Sequence, residues 1–427
     1  MGSSESGLEM PAGTGEWRGV YARHRLDLSA EDISFGVLSC VRRWRRERLE
    51  VEVLRRCSVE DEGLVCFSVR SGWDLWLGAQ DLRVGDEVLV SAITHPDMVR
   101  IIRGHGLRAV PVDIDQETLA PRPWMLESAL TPRTRVVLVA HLFGGRMGLK
   151  DVLRFAREHG LLLVEDCAQA FQGPEKMGDP AADVSMYSFG TLKTSTALGG
   201  AVLRVRDPGV LDRMRGIQAS YPSQGRGAYL KKLLKVLCLV AVSGPRPYGF
   251  LTGVCTWLGY DLDALVGDVV RGFPSREPDV TFFRRLRQRP SAPLLAMLSR
   301  RLRTFDGERL ARRASAGDRF ARRLRVVEHP GRHSLQRTHW LFPVVVEEPG
   351  ALISGLRRRG LDASRATSSI TVVEAPAGRS SAAEASLMMS GVVFLPVYPE
   401  LPSQAFDAMA GLVNDCAARG AAERVAL

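Results

Sequence analysis

Residues 135–166 limit the fold more than any other stretch. RVVLVAHLF (135–143) is β-branched and apolar, GLKDVLRFAREHG (148–160) follows with helical spacing, and LLLVED (161–166) is a second apolar run ended by two carboxylates. In the middle segment Leu149, Val152, Leu153 and Phe155 make an apolar face, and Arg154, Arg157 and Glu158 take the solvent side. Gly160 suits a C-terminal cap. This is a β-α-β unit. Its strands run parallel, and strands this apolar are covered on both faces. DEVLVSA (86–92) and RAVPVDID (108–115) supply two more strands, with SGWDLWLGAQDL (71–82) and HPDMVRIIRGHG (95–106) as helices around the first of them. The first half therefore reads as an open α/β domain.

Two features break the alternation. Residues 229–260 are unusually apolar, with a Pro/Gly interruption at SGPRP, and beyond about 280 the pattern turns to long basic helices. THWLFPVVVEE (338–348), PGALISGLRRRG (349–360), VVFLPVYP (392–399) and QAFDAMAGLVNDCAARG (404–420) then read as strand, helix, strand and helix of a smaller α/β domain. The expected division is a mobile N-terminal arm over 1–30, a large domain over 31–275 with an apolar insertion at about 220–275, and a small domain over 276–427.

The 427 residues are 45% hydrophobic and 25% charged, an ordinary balance for a soluble globular protein. Net charge is +10, concentrated in stretches such as RRLRTFDGERLARRASAGDRFARRLR, which favours acidic partners. No zinc finger, basic zipper or RNA-binding aromatic signature accompanies it, so nucleic acid is not expected as a partner. Seven cysteines (40, 57, 66, 167, 238, 255, 416) show neither a CxxC pair nor metal-ligand spacing. They read as reduced thiols of a cytoplasmic protein without a metal site. The first residues lack the charged-then-apolar pattern of a signal peptide.

Lysine is scarce: only Lys150, Lys176, Lys193, Lys231, Lys232 and Lys235 stand among the many arginines. Lys193 lies in SFGTLKTSTALGG (188–200), a run of small and hydroxylated residues. Arginine supplies fixed charge; lysine can lose its proton and act as a nucleophile. Asp166 ends an apolar strand, where open α/β sheets bind their ligands. Singly, each such residue has a bland explanation: a solvated amine, a helix cap. Together, Lys193, Asp166 and Ser188 match the needs of a pyridoxal 5'-phosphate (PLP) site: an amine for a Schiff base, a carboxylate for the pyridine nitrogen, and a hydroxyl for the phosphate.

LLLVEDCAQAFQG, SFGTLKTSTALGG, VRSGWDL, VGDEVLVSAITHPDMVRIIRGHGLRAVPVDID and TPRTRVVLVAHLFGG together resemble the DegT/DnrJ/EryC1/StrS family of sugar aminotransferases. The resemblance covers roughly 60–215 well and 280–427 loosely. It implies that Lys193 carries the cofactor and moves protons, that Asp166 pairs with the ring nitrogen, and that Gln169 contacts the ring hydroxyl. It implies further that His95 stacks on the ring and that Ser188 binds the phosphate with Gly72 and the backbone N–H groups of Trp73 and Asp74, taken to open a helix. Trp73 stands where the family has a threonine, and Leu198 where it has an acidic residue. Arg287–Arg289 best match its Asn-x-Arg segment, but they read as a basic helix face rather than a phosphate clamp. His141 is read as a satisfied core histidine.

The resemblance implies PLP-dependent transferase fold type I, with a large α/β/α sandwich domain, a smaller C-terminal α/β domain, and a homodimer whose active site lies at the subunit interface. It implies amino transfer from a donor such as glutamate to a keto-sugar. The alternatives are a PLP-fold enzyme acting on a non-sugar or lipid-linked substrate, and a non-catalytic binding module. Dehydratases of the family replace the lysine with histidine, and Lys193 argues against that chemistry. The apolar runs of 229–260 are each shorter than the ~20 residues of a spanning helix. With Lys231, Lys232 and Lys235 beside them, they suit either a buried helical hairpin at the dimer or peripheral contact with a membrane.

Overall fold

A computed structural model of the chain describes residues 19–242, 244–257, 280–325, 327, 329–365 and 369–425. At its centre is a seven-stranded sheet in the order Gly63–Cys66, Ala201–Val205, Val184–Ser188, Leu162–Asp166, Thr134–Ala140, Glu87–Ser91 and Arg108–Val112. The β-α-β unit pairs in parallel from Val136 opposite Leu162 to Ala140 opposite Asp166. All five residues of Glu87–Ser91 are buried, as a strand covered on both faces requires. Ala201–Val205 alone runs against its neighbours, so the sheet is mixed. The Thr134–Ala140 strand stops short of 143 because Phe143 adopts φ 58° and turns the chain.

The first helix beside the sheet corrects the sequence reading. It spans Val69–Gly78, not 71–82, and its N-cap is Ser68, whose Oγ accepts the N–H of Ser71 at 3.1 Å. Ser68 and Ser71 are both good caps by type. Packing chooses Ser68, because a Cβ on Gly72 would lie 2.7 Å from Leu203 Cδ1, and Gly72 is what lets this turn press onto Ala201–Val205.

Residues 229–260 fall in two helices, Arg226–Val242 and Pro245–Trp257, and 258–279 lie outside the described residues. Tyr229, Leu233 and Val236 are buried in the same cluster as Leu294, Leu295 and Met297 of the Ala292–Arg303 helix. Among the described residues no helix is long and apolar enough to cross a membrane. The Ala292–Arg303 helix belongs with this large core, against the Arg46–Arg56 helix. We therefore infer that the crossover to the smaller unit lies after Arg303, not near 276. That unit pairs Phe342–Val345 with Val392–Leu395 and packs Phe320, Leu356 and Met409 around them. The expected arm is described from Gly19 onward, and there it is built into the fold. Val20 N–H donates to Pro245 O at 2.8 Å, and Ser195 N–H donates to Asp27 at 2.6 Å.

Glu165, fully buried on the sheet, holds the layers beneath the strand ends together. It accepts from His141 Nε2 at 2.8 Å, Arg146 Nη2 at 2.8 Å, Ser185 Oγ at 2.7 Å and Asp179 N–H at 2.8 Å. His141 Nδ1 in turn accepts Met147 N–H at 3.2 Å, which fixes the tautomer. His141, Glu165 and Cys167 lie close enough to suggest a metal cluster, yet the imidazole and carboxylate are already engaged with protein partners. Burial alone would raise the Glu165 carboxyl; hydrogen bonds and charge from His141, with Asp179 N–H and Arg146, outweigh it and hold the group well below the usual range.

Replacing Glu165 by Ala strands these donors and should cost about 3–5 kcal/mol in urea unfolding. A depressed carboxyl stabilises the fold above its unfolded pKa, ordinarily 4.5, and that contribution fades as pH falls toward the folded value. The gap in stability between wild type and Glu165→Gln should accordingly shrink below pH 4.5. A pH-independent gap would refute the ionised assignment.

Candidate active site

The loop between Val184–Ser188 and Ala201–Val205 must reverse the chain over the carboxyl end of the sheet. It does so with Ser195 at φ 56° and Leu198 at φ 62°. Thr196 Oγ1 accepts Leu198 N–H at 2.9 Å and donates to Gly190 O at 2.6 Å, while Tyr229 Oη donates to Ala197 O at 2.9 Å. Lys193 projects from this pinned loop. Its Nζ lies 4.2 Å from the ring centroid of Trp340, and Trp340 Nε1 donates to Leu192 O at 2.9 Å. His24 Nε2 donates to the same carbonyl at 3.0 Å. The lysine is thus walled by the N-terminal segment on one side and the smaller unit on the other.

Burial lowers the Lys193 amine to about 8; Asp166 opposes this and Arg70 adds to it. Asp166 is buried, which raises its carboxyl, while Ala168 N–H at 2.9 Å and the charge of Lys193 pull it back. The two groups lie within each other's electrostatic reach, and each favours the charged form of the other. His95 caps the Pro96–Gly104 helix, with Nδ1 accepting Asp97 N–H at 3.1 Å. Its side chain is partly exposed, yet desolvation and the charge of Arg70 lower it to about 3 and hold it neutral. Gln169 Oε1 accepts Phe143 N–H at 2.8 Å, so the amide is fixed at the floor of the site. Ser188 Oγ lies 3.4 Å from Gly190 N.

Gly72, Trp73 and Asp74 depart from their expected places. All three lie beyond the first turn of the Val69–Gly78 helix, so their N–H groups are spent inside it. Trp73 is fully buried, stacks on Trp76 at 5.5 Å, and its Nε1 donates to Met98 O at 3.2 Å. Asp74 is held by His105 Nε2 at 2.9 Å and Arg287 Nε at 2.9 Å. Arg287 is therefore a structural partner of Asp74. The helix start is at Ser68, Val69 and Arg70, four residues earlier.

Arg70 lies in that first turn. It pairs with Asp97 at 2.6 Å, and its charge reaches both Lys193 and His95. The signal for it was Ser68, a cap residue before a helical run. Trp340, His24 and Arg313 also border Lys193, from sequence positions too distant for any local pattern to reveal.

Comparison with known proteins sharpens this. Residues 47–234 match the sequence model of the DegT/DnrJ/EryC1/StrS aminotransferase family. The chain is similar to the L-glutamine:2-deoxy-scyllo-inosose aminotransferase of Streptomyces kanamyceticus, 32% identical over 190 residues that make 43% of this chain and 42% of that protein. It is also similar to the UDP-N-acetyl-3-dehydro-alpha-D-glucosamine 3-aminotransferase of Acidithiobacillus ferrooxidans, 31% identical over 40% of this chain and 47% of the relative. The chain thus spans less than half the length of these curated relatives. The fold as a whole matches more fully. The aminotransferase TlmJ from Streptoalloteichus hindustanus superimposes with TM-score 0.67 at 18% identity, over 94% of this chain and all of that one. Helicobacter pylori PseC gives 0.67 at 14% identity, over 93% and 99%. The fold is that of PLP-dependent transferases of fold type I.

The pairing of Asp166 with Lys193 has a sign that can be measured. Removing the carboxylate's charge destabilises the ammonium, so Asp166→Asn should carry the Lys193 pKa below about 8. Competitive acetylation of the cofactor-free protein across pH, read by peptide mass spectrometry at Lys193, reports it. An unchanged or raised value would show that the two groups do not interact.

Proposed function

We propose, from the match of residues 47–234 to the DegT/DnrJ/EryC1/StrS aminotransferase family, that the chain is a PLP-dependent aminotransferase moving an amino group from an amino-acid donor such as glutamate to a keto-sugar. The observation that carries this is Lys193: a half-buried lysine whose amine desolvation lowers to about 8, on the loop that follows Val184–Ser188 and within reach of the charge of Asp166.

The residues fit the cofactor. Thr191 Oγ1, three residues after Ser188 in the chain, is buried with no hydrogen-bond partner among the described residues, and Val69 N–H is in the first turn of a helix, where the helix itself offers no acceptor. These, with Ser188 and Arg70, are the donors an anionic phosphate needs. When bound, PLP supplies a carbonyl for the amino group and an electron sink for a substrate carbanion. Lys193 would be the residue that holds the cofactor, and its amine, when free, would take up and give back the donor's α-proton. At pH 7 roughly a tenth of an amine with this pKa is neutral, far more than of an ordinary lysine. Asp166 keeps a positive charge on the ring nitrogen, and neutral His95 and Gln169 bound the ring without adding charge. Trp340 excludes water from the reacting side.

The reading extends to a homodimer. The Arg226–Val242 helix leaves Leu234 (49%) and Leu237 (43%) exposed, an apolar strip suited to a second subunit. Exposed Lys231 and Lys235 beside it serve the second reading, contact with an anionic membrane. Light scattering and co-sedimentation with anionic liposomes separate the two: a dimer that ignores liposomes supports the first.

Two results test the chemistry. Borohydride reduction of the loaded protein should fix the cofactor to the peptide containing Lys193 and to none holding another lysine. Asp166→Asn should lower kcat by orders of magnitude, because its charge matters most as the carbanion forms. Purified protein without a visible cofactor band would instead favour a binding module.

A further inference from the structure

Two residues of the N-terminal segment hold the loop that carries Lys193, one on each side of it. Before the lysine, His24 Nε2 donates to Leu192 O at 3.0 Å. After it, Asp27 Oδ2 accepts Ser195 N–H at 2.6 Å. The second bond is made where the backbone most needs support. Ser195 is buried and has φ 56°, in the left-handed region that a residue with a Cβ occupies only when its surroundings impose it. Its hydroxyl is fixed as well, donating to Arg301 O at 3.0 Å.

Asp27 is itself held from several sides. Its backbone carbonyl accepts Arg301 Nη2 at 2.8 Å, and its carboxylate pairs with Arg309 at 2.7 Å and Arg301 at 3.3 Å. Asp27, Ser195 and Arg301 thus close a ring of hydrogen bonds. Arg301, on the Ala292–Arg303 helix, is braced in turn by Asp32 at 2.6 Å. An ionised acceptor makes the stronger kind of hydrogen bond, so the link to Ser195 N–H is a firm one. Through this ring the large core fixes a backbone group two residues from the amine. The cavity of about 450 Å³ beside Lys193 leaves room for the side chain to swing if that turn relaxes.

Resting on the aminotransferase reading, we propose that Asp27 is a positioning residue for Lys193: its bond to Ser195 N–H keeps the 192–195 turn closed and so sets where the amine stands relative to Asp166 and the cofactor. Asp166 raises the Lys193 amine and Arg70 lowers it, while the carboxylate of Asp27 is spent on Ser195, Arg301 and Arg309. Asp27 therefore acts on the amine through the backbone and not through its charge. The N-terminal segment gains a part in the reaction without touching a reacting atom.

Competitive acetylation of the cofactor-free, full-length protein across pH, with amide hydrogen exchange over 189–200, tests this. Desolvation is the largest cause holding Lys193 at about 8. Asp27→Ala should free the turn, admit water to the amine and raise its pKa from about 8 toward the ordinary 10.5, and exchange over 189–200 should quicken. The arginines left unpaired would by charge alone move the amine down, so the sign separates movement from electrostatics. In PLP-loaded protein the same variant should lose about 10- to 100-fold in kcat with little change in either KM, as a displaced catalytic group does. Asp27→Asn keeps an oxygen for Ser195 N–H but gives up the charge, and should hold Lys193 near its wild-type pKa. An Ala variant with an unchanged or lowered Lys193 pKa overturns the proposal. So does an Asn variant that rises as far as the Ala variant, since pairing with the arginines would then be what holds the loop. If the Ala variant fails to fold, Asp27→Glu decides. It retains the charge, but the extra methylene displaces the carboxylate from Ser195 N–H, and an unchanged Lys193 pKa overturns the proposal. Wild type that takes up no PLP, recognised by its missing visible band, sinks the aminotransferase reading instead, and the acetylation measurement does not depend on it.

Discussion

Asp166 pairs with Met186 across the parallel ladder, and Ser188 ends the neighbouring strand two residues later. That register places a carboxylate and a hydroxyl at one edge of the sheet, offset by about 7 Å along the strand direction. Because Ala201–Val205 returns antiparallel beside Val184–Ser188, the chain between them has to double back over the same edge. Lys193 sits in that reversal. The chemistry of the site therefore depends on strand pairing before it depends on any side chain, and a slip of one residue would turn Asp166 into the opposite layer.

The electrostatics follow from the same crowding. Lys193 is close to the charges of Arg70 and, through Thr194, to Arg313, against a single near carboxylate in Asp166. Desolvation and cationic neighbours both push protons off the amine; Asp166 and the face of Trp340 hold them on. The balance is an amine within reach of neutral pH, which neither a solvated lysine nor a fully paired one would show. Beneath it, Glu165 uses its neighbours the opposite way and stays ionised in full burial. Adjacent carboxylates on one strand thus serve different ends because they point to different faces.

Much of this was legible in the sequence, and the part that was not has a common cause. The strands Leu162–Asp166 and Thr134–Ala140 announce themselves by apolar content, and Lys193 and Asp166 by type and position at a strand end. The start of the Val69–Gly78 helix was misread because two serines three apart both make good caps, and only the contact of Gly72 with Leu203 separates them. Trp73 and Asp74 moved out of the site with that shift. Trp340, His24 and Arg313 left no trace in local patterning, since they meet Lys193 across 147, 169 and 120 residues of chain. The Ala292–Arg303 helix is basic in sequence, but its buried residues Leu294, Leu295 and Met297 pack into the large core, which is why we infer a crossover after Arg303.

The indole over Lys193 also bears on how the protein is made. Sheet, loop and lysine are all encoded before residue 206, but the ring that closes over the amine arrives only with residue 340. A nascent chain emerging in order exposes its reactive amine, with Asp166 and Ser188 already in register, well before the covering wall exists. During synthesis the nucleophile is consequently open to any aldehyde that can reach it, and selectivity is acquired last, when the final third of the chain folds back over the first.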